Sequence, residues 1–164
     1  PQLNSLDISS NQINDLRPLM GLETLRRLQA ADNALTDTSA LGNMRELQDL
    51  DISNNSIADF SGLRKLSNLK TLLLVNTEIR DEDLYYLANL SMLTKLSLDD
   101  NPSLGNDAFG RLQSSLPGCP ISHSDLVYTI YIEGWTVFSS DVDLDLSGKG
   151  IEDLSGLERL NSKF

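Results

Sequence analysis

The side chains of this 164-residue chain that could carry out catalysis are few, and they do not form a known motif. His123 is the only histidine, so a Ser-His-Asp triad would have to use it. It lies in a Pro- and Ser-rich stretch without a nucleophile motif, which predicts a histidine in a surface loop. Cys119 is the only cysteine, which excludes an intrachain disulfide, and we expect a buried, unreactive thiol. The sequence therefore predicts that the chain is not an enzyme.

Alternating aspartates are the strongest candidates for binding a metal. Asp141, Asp143 and Asp145 would project from one face of a strand and could attract Ca²⁺, as could the pair at residues 99–100. Their spacing matches no calcium-binding loop, so a solvated acidic face is the favoured interpretation. No glycine-rich loop has the spacing of a phosphate-binding loop. We predict neither a metal nor a cofactor.

The charge of the chain limits its partners. Lys and Arg number 13 against 24 Asp and Glu, and the formal net charge is −11. A surface this acidic repels nucleic acid and anionic lipid. No segment approaches the ~18 apolar residues of a membrane span. We therefore expect neither nucleic acid binding nor membrane insertion.

A repeat organises most of the chain. Its best copy, residues 47–59, reads Leu-x-x-Leu-x-Leu-x-x-Asn-x-Ile-x-Asp. Copies recur at intervals of 22, 22, 22 and 24 residues, with first positions at Leu3, Leu25, Leu47, Leu69 and Leu93. The alternation places apolar side chains on one face of a short strand, and successive copies are expected to pair as parallel strands. Five such starts predict a stacked array rather than a globule around one centre.

The positions after each strand give further predictions. The asparagine position is filled by Asn11, Asn33, Asn55 and Asn101, which are expected to form a buried ladder that Thr77 interrupts. Apolar residues three apart suit short 3₁₀ or helical return segments.

The later units depart from this pattern. An α-helix of about two turns is predicted in the fourth unit, with Asp81 as its N-cap. A second helix is expected from Asn106 and a degraded sixth strand within residues 116–121. Leu116 follows Leu93 by 23 residues, which places it in register and Cys119 in a core position.

These motifs resemble the signature of leucine-rich repeats, most closely the short 22-residue bacterial kind found in internalins. The resemblance implies an α/β solenoid with a curved parallel sheet on its concave side and short 3₁₀ or α segments on its convex side. It also implies a bacterial cell-surface or extracellular location. A cytoplasmic location is the alternative, because similar repeats also occur in the cytosol.

The predicted organisation has three parts. Residues 1–121 form five full units and a degraded sixth, residues 122–140 an irregular cap or linker, and residues 141–164 a restarted repeat. Two interpretations of the restart remain open. The chain is either a piece or permuted version of a longer repeat protein, or its last unit stacks on the N-terminal edge of another molecule. The second would give head-to-tail association.

The concave strand face is where an array of this kind is expected to bind, because it presents rigid rows of side chains. The predicted contact residues are Asp7, Gln29, Asp49, Asp51, Leu73, Val75, Lys95, Ser97 and Asp99. Leu73 and Val75 are the candidate apolar anchor, with aspartates around them. The leading hypothesis is a module that binds a protein ligand through this face. The alternatives are a structural or adhesive segment of a bacterial surface protein and an enzyme whose active residues lie in residues 122–140.

Overall fold

The structure, a computed structural model, describes residues 3–124 together with the backbone of residues 129–132 and 135–138. The chain divides into two compact parts, Pro1–Ser124 and Asp125–Phe164. In the described portion of the second part, β7 (Thr129–Ile132) and β8 (Trp135–Phe138) pair as an antiparallel hairpin. A hairpin thus replaces part of the irregular segment that was expected. Whether residues 122–140 act as a cap or linker stays a prediction, and the restarted repeat at 141–164 lies outside the described residues.

The first part is a leucine-rich solenoid built on one parallel sheet. Its strands follow chain order: β1 (Ser5–Asp7), β2 (Arg27–Gln29), β3 (Asp49–Asp51), β4 (Thr71–Leu73), β5 (Lys95–Ser97) and β6 (Ile121–Ser122). In the first five strands a leucine occupies the middle position, and these leucines face one another in register from strand to strand. The predicted fold class, an α/β leucine-rich repeat solenoid, is confirmed.

Short helices return the chain from one strand to the next. Four are 3₁₀ helices, η1 (Arg17–Leu19), η2 (Ser39–Asn43), η3 (Ser61–Lys65) and η4 (Asp83–Tyr86), and one is the α-helix α1 (Asn106–Ser115). An aspartate lies two residues before the start of each of the first three. Asp15, Asp37 and Asp59 accept the backbone N–H two residues further on, at 2.8–3.0 Å, which satisfies a donor that the helix leaves unpaired.

The prediction of an α-helix capped by Asp81 is wrong. The Asp81 carboxylate instead accepts the backbone N–H of Gly105, in the next unit, at 2.7 Å. The carboxylate of Asp83 accepts the N–H of Arg80 at 3.1 Å. Asp83 is also the first residue of η4, which is a single 3₁₀ turn. Because the Asp81 carboxylate is used to join two units, it does not cap its own.

The register expected for the sixth strand is also wrong. Leu96 pairs with Ile121, 25 residues later, rather than with Cys119. The ten-residue helix α1 lengthens the return segment, and Pro120, which has no N–H, precedes the strand and accepts the N–H of Leu96 at 3.2 Å. Leu116 and Cys119 are nevertheless buried, so Cys119 does fill a core position.

Candidate protein-binding face

The concave face consists of the side chains at the third, fifth and seventh positions of each unit. Their neighbours at the fourth and sixth positions turn into the core; Leu50 and Ile52, for example, are 1% and 0% exposed. Period-two alternation along each strand therefore separates a buried leucine row from the outward rows. All nine predicted contact residues lie in these outward rows.

The eighth position of each unit comes directly after the seventh, which forms the last of the three outward rows. Its backbone is left-handed in five successive units. Ser10, Asp32, Asn54, Asn76 and Asp100 have φ between 51° and 57°. Serine, aspartate and asparagine tolerate this conformation better than branched residues do. Sequence reasoning missed this row, although its polar residues recur with the period of the repeat.

Two asparagines of the eighth position join neighbouring units along the rim of the face. Asn54 Nδ2 donates to Asp32 Oδ1 at 2.9 Å, and Asn76 Nδ2 donates to Asn54 Oδ1 at 3.1 Å. These amides bridge three consecutive units beside the candidate anchor and help to hold the units in register.

Beneath the face, asparagines at the ninth position tie the second, third and fifth units to the unit before them. Asn55 Nδ2 donates to the carbonyls of Ala30, Ile52 and Ser53 at 2.9–3.1 Å, and its Oδ1 accepts the N–H of Leu35 at 2.9 Å. Asn33 makes the equivalent bonds to Ile8 and Ile13. Asn101 Nδ2 likewise donates to the carbonyl of Leu74 at 2.7 Å, but its Oδ1 accepts the N–H of Thr77 at 2.9 Å, two residues earlier in the unit than the pattern predicts. The expected ladder is present at these three residues, whereas Asn11 in the first unit is exposed and its side chain bonds only to Ile8 and Ser9.

Thr77 interrupts the ladder at the unit that carries the candidate anchor. Its hydroxyl donates to the Leu74 carbonyl of its own unit at 3.1 Å. In the preceding unit, the N–H of Ile57 donates to the backbone carbonyls of Asn55 and Thr77 at 3.1 and 3.3 Å. At the same position in the first two units, the N–H donates to the Oδ1 of an asparagine in the next unit. The junction between the third and fourth units therefore lacks the ninth-position asparagine link and is joined by the Asn76–Asn54 and Val75–Ser53 bonds instead.

We expect Thr77→Asn to stabilise the array by about 1 kcal/mol. The amide oxygen would accept the N–H of Ile57, and the amide nitrogen would donate to a backbone carbonyl of the preceding unit, as at Asn33 and Asn55. Urea unfolding followed by circular dichroism would measure the change. Thr36→Asn, the same exchange at an exposed residue, is the control and should lie within about 0.5 kcal/mol of the parent protein. A less stable Thr77→Asn protein would show that the position cannot hold the longer side chain.

The N-terminal half of the face is acidic. Asp7 accepts the N–H of Ser9 at 2.9 Å, and this backbone hydrogen bond holds the pKa of the exposed Asp7 carboxyl below its ordinary value. Asp51 accepts the N–H of Ser53 at 3.0 Å in the same manner. Asp49 forms an ion pair with Arg27 of the neighbouring strand at 3.4 Å. Gln29 lies on the same strand as Arg27. Because both side chains are partly exposed, the ion pair adds little stability. Its main effect is that the charge of Arg27 offsets the charge of Asp49.

The C-terminal half contains a hydroxyl–carboxylate cluster. Ser97 is buried and donates to Asp99 Oδ2 at 2.7 Å, as does Ser122 of β6. Ser97 therefore supports Asp99 instead of offering a free hydroxyl. Lys95, at the start of the same strand, is exposed.

The candidate cation site at Asp99 and Asp100 has its carboxylates engaged by hydroxyls. Asp100 Oδ1 accepts the hydroxyl of Ser124 at 3.1 Å, in addition to the bonds that Asp99 accepts. In residues 3–124 no three Asp, Glu, His or Cys side chains come together in a group that could hold a metal ion. Asp141, Asp143 and Asp145 lie outside the described residues.

Leu73 and Val75 form the apolar centre of the face. Both are half-buried; Leu73 ends β4, beside Asp51 in the sheet register, and Val75 follows two residues later. The N–H of Val75 donates to Ser53 Oγ at 3.2 Å, which fixes the backbone just after the strand. Leu73 and Val75 thus lie two residues apart in the outward rows, with the carboxylate of Asp51 on the adjacent strand.

The two residues considered for catalysis have structural surroundings. Cys119 is buried, and desolvation raises the pKa of its thiol, which disfavours the reactive thiolate. His123 is half-buried, with its ring edge-on to Phe109 at a centroid distance of 5.7 Å, so it is not the freely exposed loop residue that was expected.

Comparison with known proteins agrees with this architecture. Residues 23–65 match a family model described as leucine-rich repeats in two copies. The chain is a leucine-rich repeat protein. Its repeats are internalin-like: an internalin of Listeria monocytogenes is 34% identical over 74% of this chain, with a TM-score of 0.67. Internalin C2 of the same organism is 32% identical over 74% of the chain, with the same TM-score of 0.67.

A leucine-rich repeat protein of Leptospira interrogans is 25% identical over 71% of the chain, with a TM-score of 0.59. The chain spans 34% and 51% of the lengths of the two internalins and 30% of the Leptospira protein. No curated protein sequence matches the chain. Among its described residues, no helix is long and apolar enough to cross a membrane.

Proposed function

We propose that this leucine-rich repeat protein is a non-enzymatic module that binds a protein partner through its concave face. The observation that carries the proposal is the pair Leu73 and Val75, two aliphatic side chains side by side in rows that are otherwise mostly polar. Energetic anchors of protein interfaces are typically apolar groups surrounded by polar ones. Gln29, Asp49, Asp51, Lys95 and Asp99 provide the polar surround, and Asp7 lies at its N-terminal end.

The rigidity of the face supports the same proposal. The asparagine ladder below it and the Asp32–Asn54–Asn76 bonds along its rim hold the rows in fixed register. A preorganised surface loses less conformational entropy on binding, so more of its contact energy appears as affinity.

The setting of this binding is inferred from the relatives. Solved structures of internalins and a Leptospira repeat protein match the chain, which supports a bacterial cell-surface or extracellular protein; a cytoplasmic one is the alternative. The net charge of −11 opposes nucleic acid and anionic lipid as partners. No cofactor is part of the proposal.

Aspartate substitution at the anchor tests the proposal. The immobilised parent protein and the Leu73→Asp, Val75→Asp double variant would be compared for protein capture from bacterial and host extracts. We expect at least one protein to be captured by the parent and its capture to fall by about tenfold or more in the variant, because burying an unpaired carboxylate is costly.

Met92→Asp is the matched control, since Met92 is 52% exposed and lies outside the concave rows. It should capture as the parent does, and circular dichroism should be the same for all three proteins. Equal capture by the parent and the double variant would contradict the proposal.

A structural or adhesive role with head-to-tail association is the second candidate. It is favoured by the first unit, where the apolar side chains of Leu6, Ile8 and Ile13 are only partly buried. Light scattering that shows concentration-dependent association, unchanged in the double variant, would support it. A monomer at high concentration would exclude it.

A further inference from the structure

The aspartates of the concave face differ in how many hydrogen bonds and ion pairs their carboxylates already make within the protein. Asp49 is paired with Arg27, and Asp99 accepts two hydroxyls. Asp51 is half-buried, and within residues 3–124 its one hydrogen bond is from the N–H of Ser53 to Oδ1. Its Oδ2 accepts no hydrogen bond from those residues. Asp51 is therefore the carboxylate of the central face with the greatest remaining capacity for a cation.

Asp51 also lies beside the apolar anchor. It is the register neighbour of Leu73 on the adjacent strand, a separation of roughly 4.8 Å between strand axes. A cation bound to Asp51 would be partly shielded from water by the side chain of the partner that packs on Leu73. Charge pairs gain strength as water is excluded, provided that both partners remain paired.

Across the anchor from Asp51, Ser97 of β5 is the register neighbour of Leu73. Lys95 lies on β5 beside Thr71 of β4, and no ion pair involving it forms within the described residues. On the β5 side, the ammonium of Lys95 therefore lies at the start of the strand, and the carboxylate that follows the strand, Asp99, already accepts two hydroxyls. A cation of the partner is favoured at Asp51 and opposed near Lys95.

We infer that the partner is a protein segment that places a lysine or arginine on Asp51 and an aliphatic or aromatic side chain on Leu73 and Val75. This rests on the proposed function of the concave face. A second copy of the chain is a poor occupant, because each copy has a net charge of −11 and their acidic surfaces would repel each other.

Selection from a phage-displayed library of random twelve-residue peptides tests the inference. Peptides recovered on the immobilised protein should be enriched in Lys or Arg close to an apolar residue. Their affinity should fall by about tenfold or more on Asp51→Lys, which opposes two like charges. A parallel selection on the Asp51→Lys protein should favour Asp or Glu in place of the basic residue.

Glu23→Lys is the matched control, since it makes the same charge reversal at an exposed residue outside the concave rows. It should leave binding within about twofold of the parent protein. Peptides that need Leu73 but show no basic enrichment, or that bind Asp51→Lys as well as the parent, would overturn the inference and leave the proposed function standing. A selection that yields no peptide dependent on Leu73 would overturn both.

Discussion

We expect Gly62→Ala to destabilise the repeat array by about 3 kcal/mol, although it adds only one methyl group. A Cβ at Gly62 would overlap the Thr38 backbone of the preceding unit, lying 2.5 Å from its carbonyl carbon and 3.0 Å from the nitrogen of Ser39. Backbone atoms cannot move aside by changing rotamer, so the 3₁₀ helices η2 and η3 would have to separate. The N–H of Gly62 would also lose its bond to Thr38 Oγ1, now 3.1 Å long.

Gly110→Ala is the control for this exchange. Nothing lies within 4 Å of a Cβ built at Gly110, which is inside helix α1, so alanine should stabilise that helix by about 0.5–1 kcal/mol. The free energy of unfolding from urea titration would measure both variants. A Gly62→Ala protein within 0.5 kcal/mol of the parent would refute the close packing of η2 on η3.

The second large effect is expected at Asn55. Replacing it by alanine would leave the N–H of Leu35 and the carbonyl of Ile52 without their side-chain partner in a buried region, since Asn55 is 3% exposed. Unsatisfied buried groups cost about 1–3 kcal/mol each, so a loss of about 3 kcal/mol is expected. Thermal or urea unfolding would measure it.

Asn11→Ala serves as the control because Asn11 occupies the same repeat position but is exposed, and its side chain bonds only within its own unit. It should cost less than about 1 kcal/mol. Equal losses at Asn11 and Asn55 would mean that the ladder does not join the units.

The repeat fold is predictable from sequence because the leucine spacing fixes the strand register. Units 22 residues apart bring Leu28, Leu50 and Leu72 opposite one another, as the alternation predicts. The prediction fails at the sixth strand, where the leucine pattern itself has faded. Helix α1 shifts the sixth strand to Ile121, and leucine spacing contains no information on how long a return segment becomes.

The side chains of the candidate site are predictable only in part. Their rows follow from strand alternation, so the placement of Leu73 beside Asp51 could be read from the repeat. The burial of Ser97 could not, because it depends on the Asp99 cluster, and Ser122 reaches that cluster through the misjudged register of β6. The role of Asp81 was missed for a similar reason: its partner, Gly105, lies 24 residues away in the next unit.

Site-specific photo-crosslinking tests the central claim most directly. A benzophenone side chain would be placed at position 75, on the concave face, and separately at position 85. Tyr85 is 57% exposed and lies in the return helix η4, outside the concave rows. We predict that a captured protein partner crosslinks at position 75 and not at position 85. Crosslinking at position 85 alone would contradict the assignment of the concave face as the binding surface.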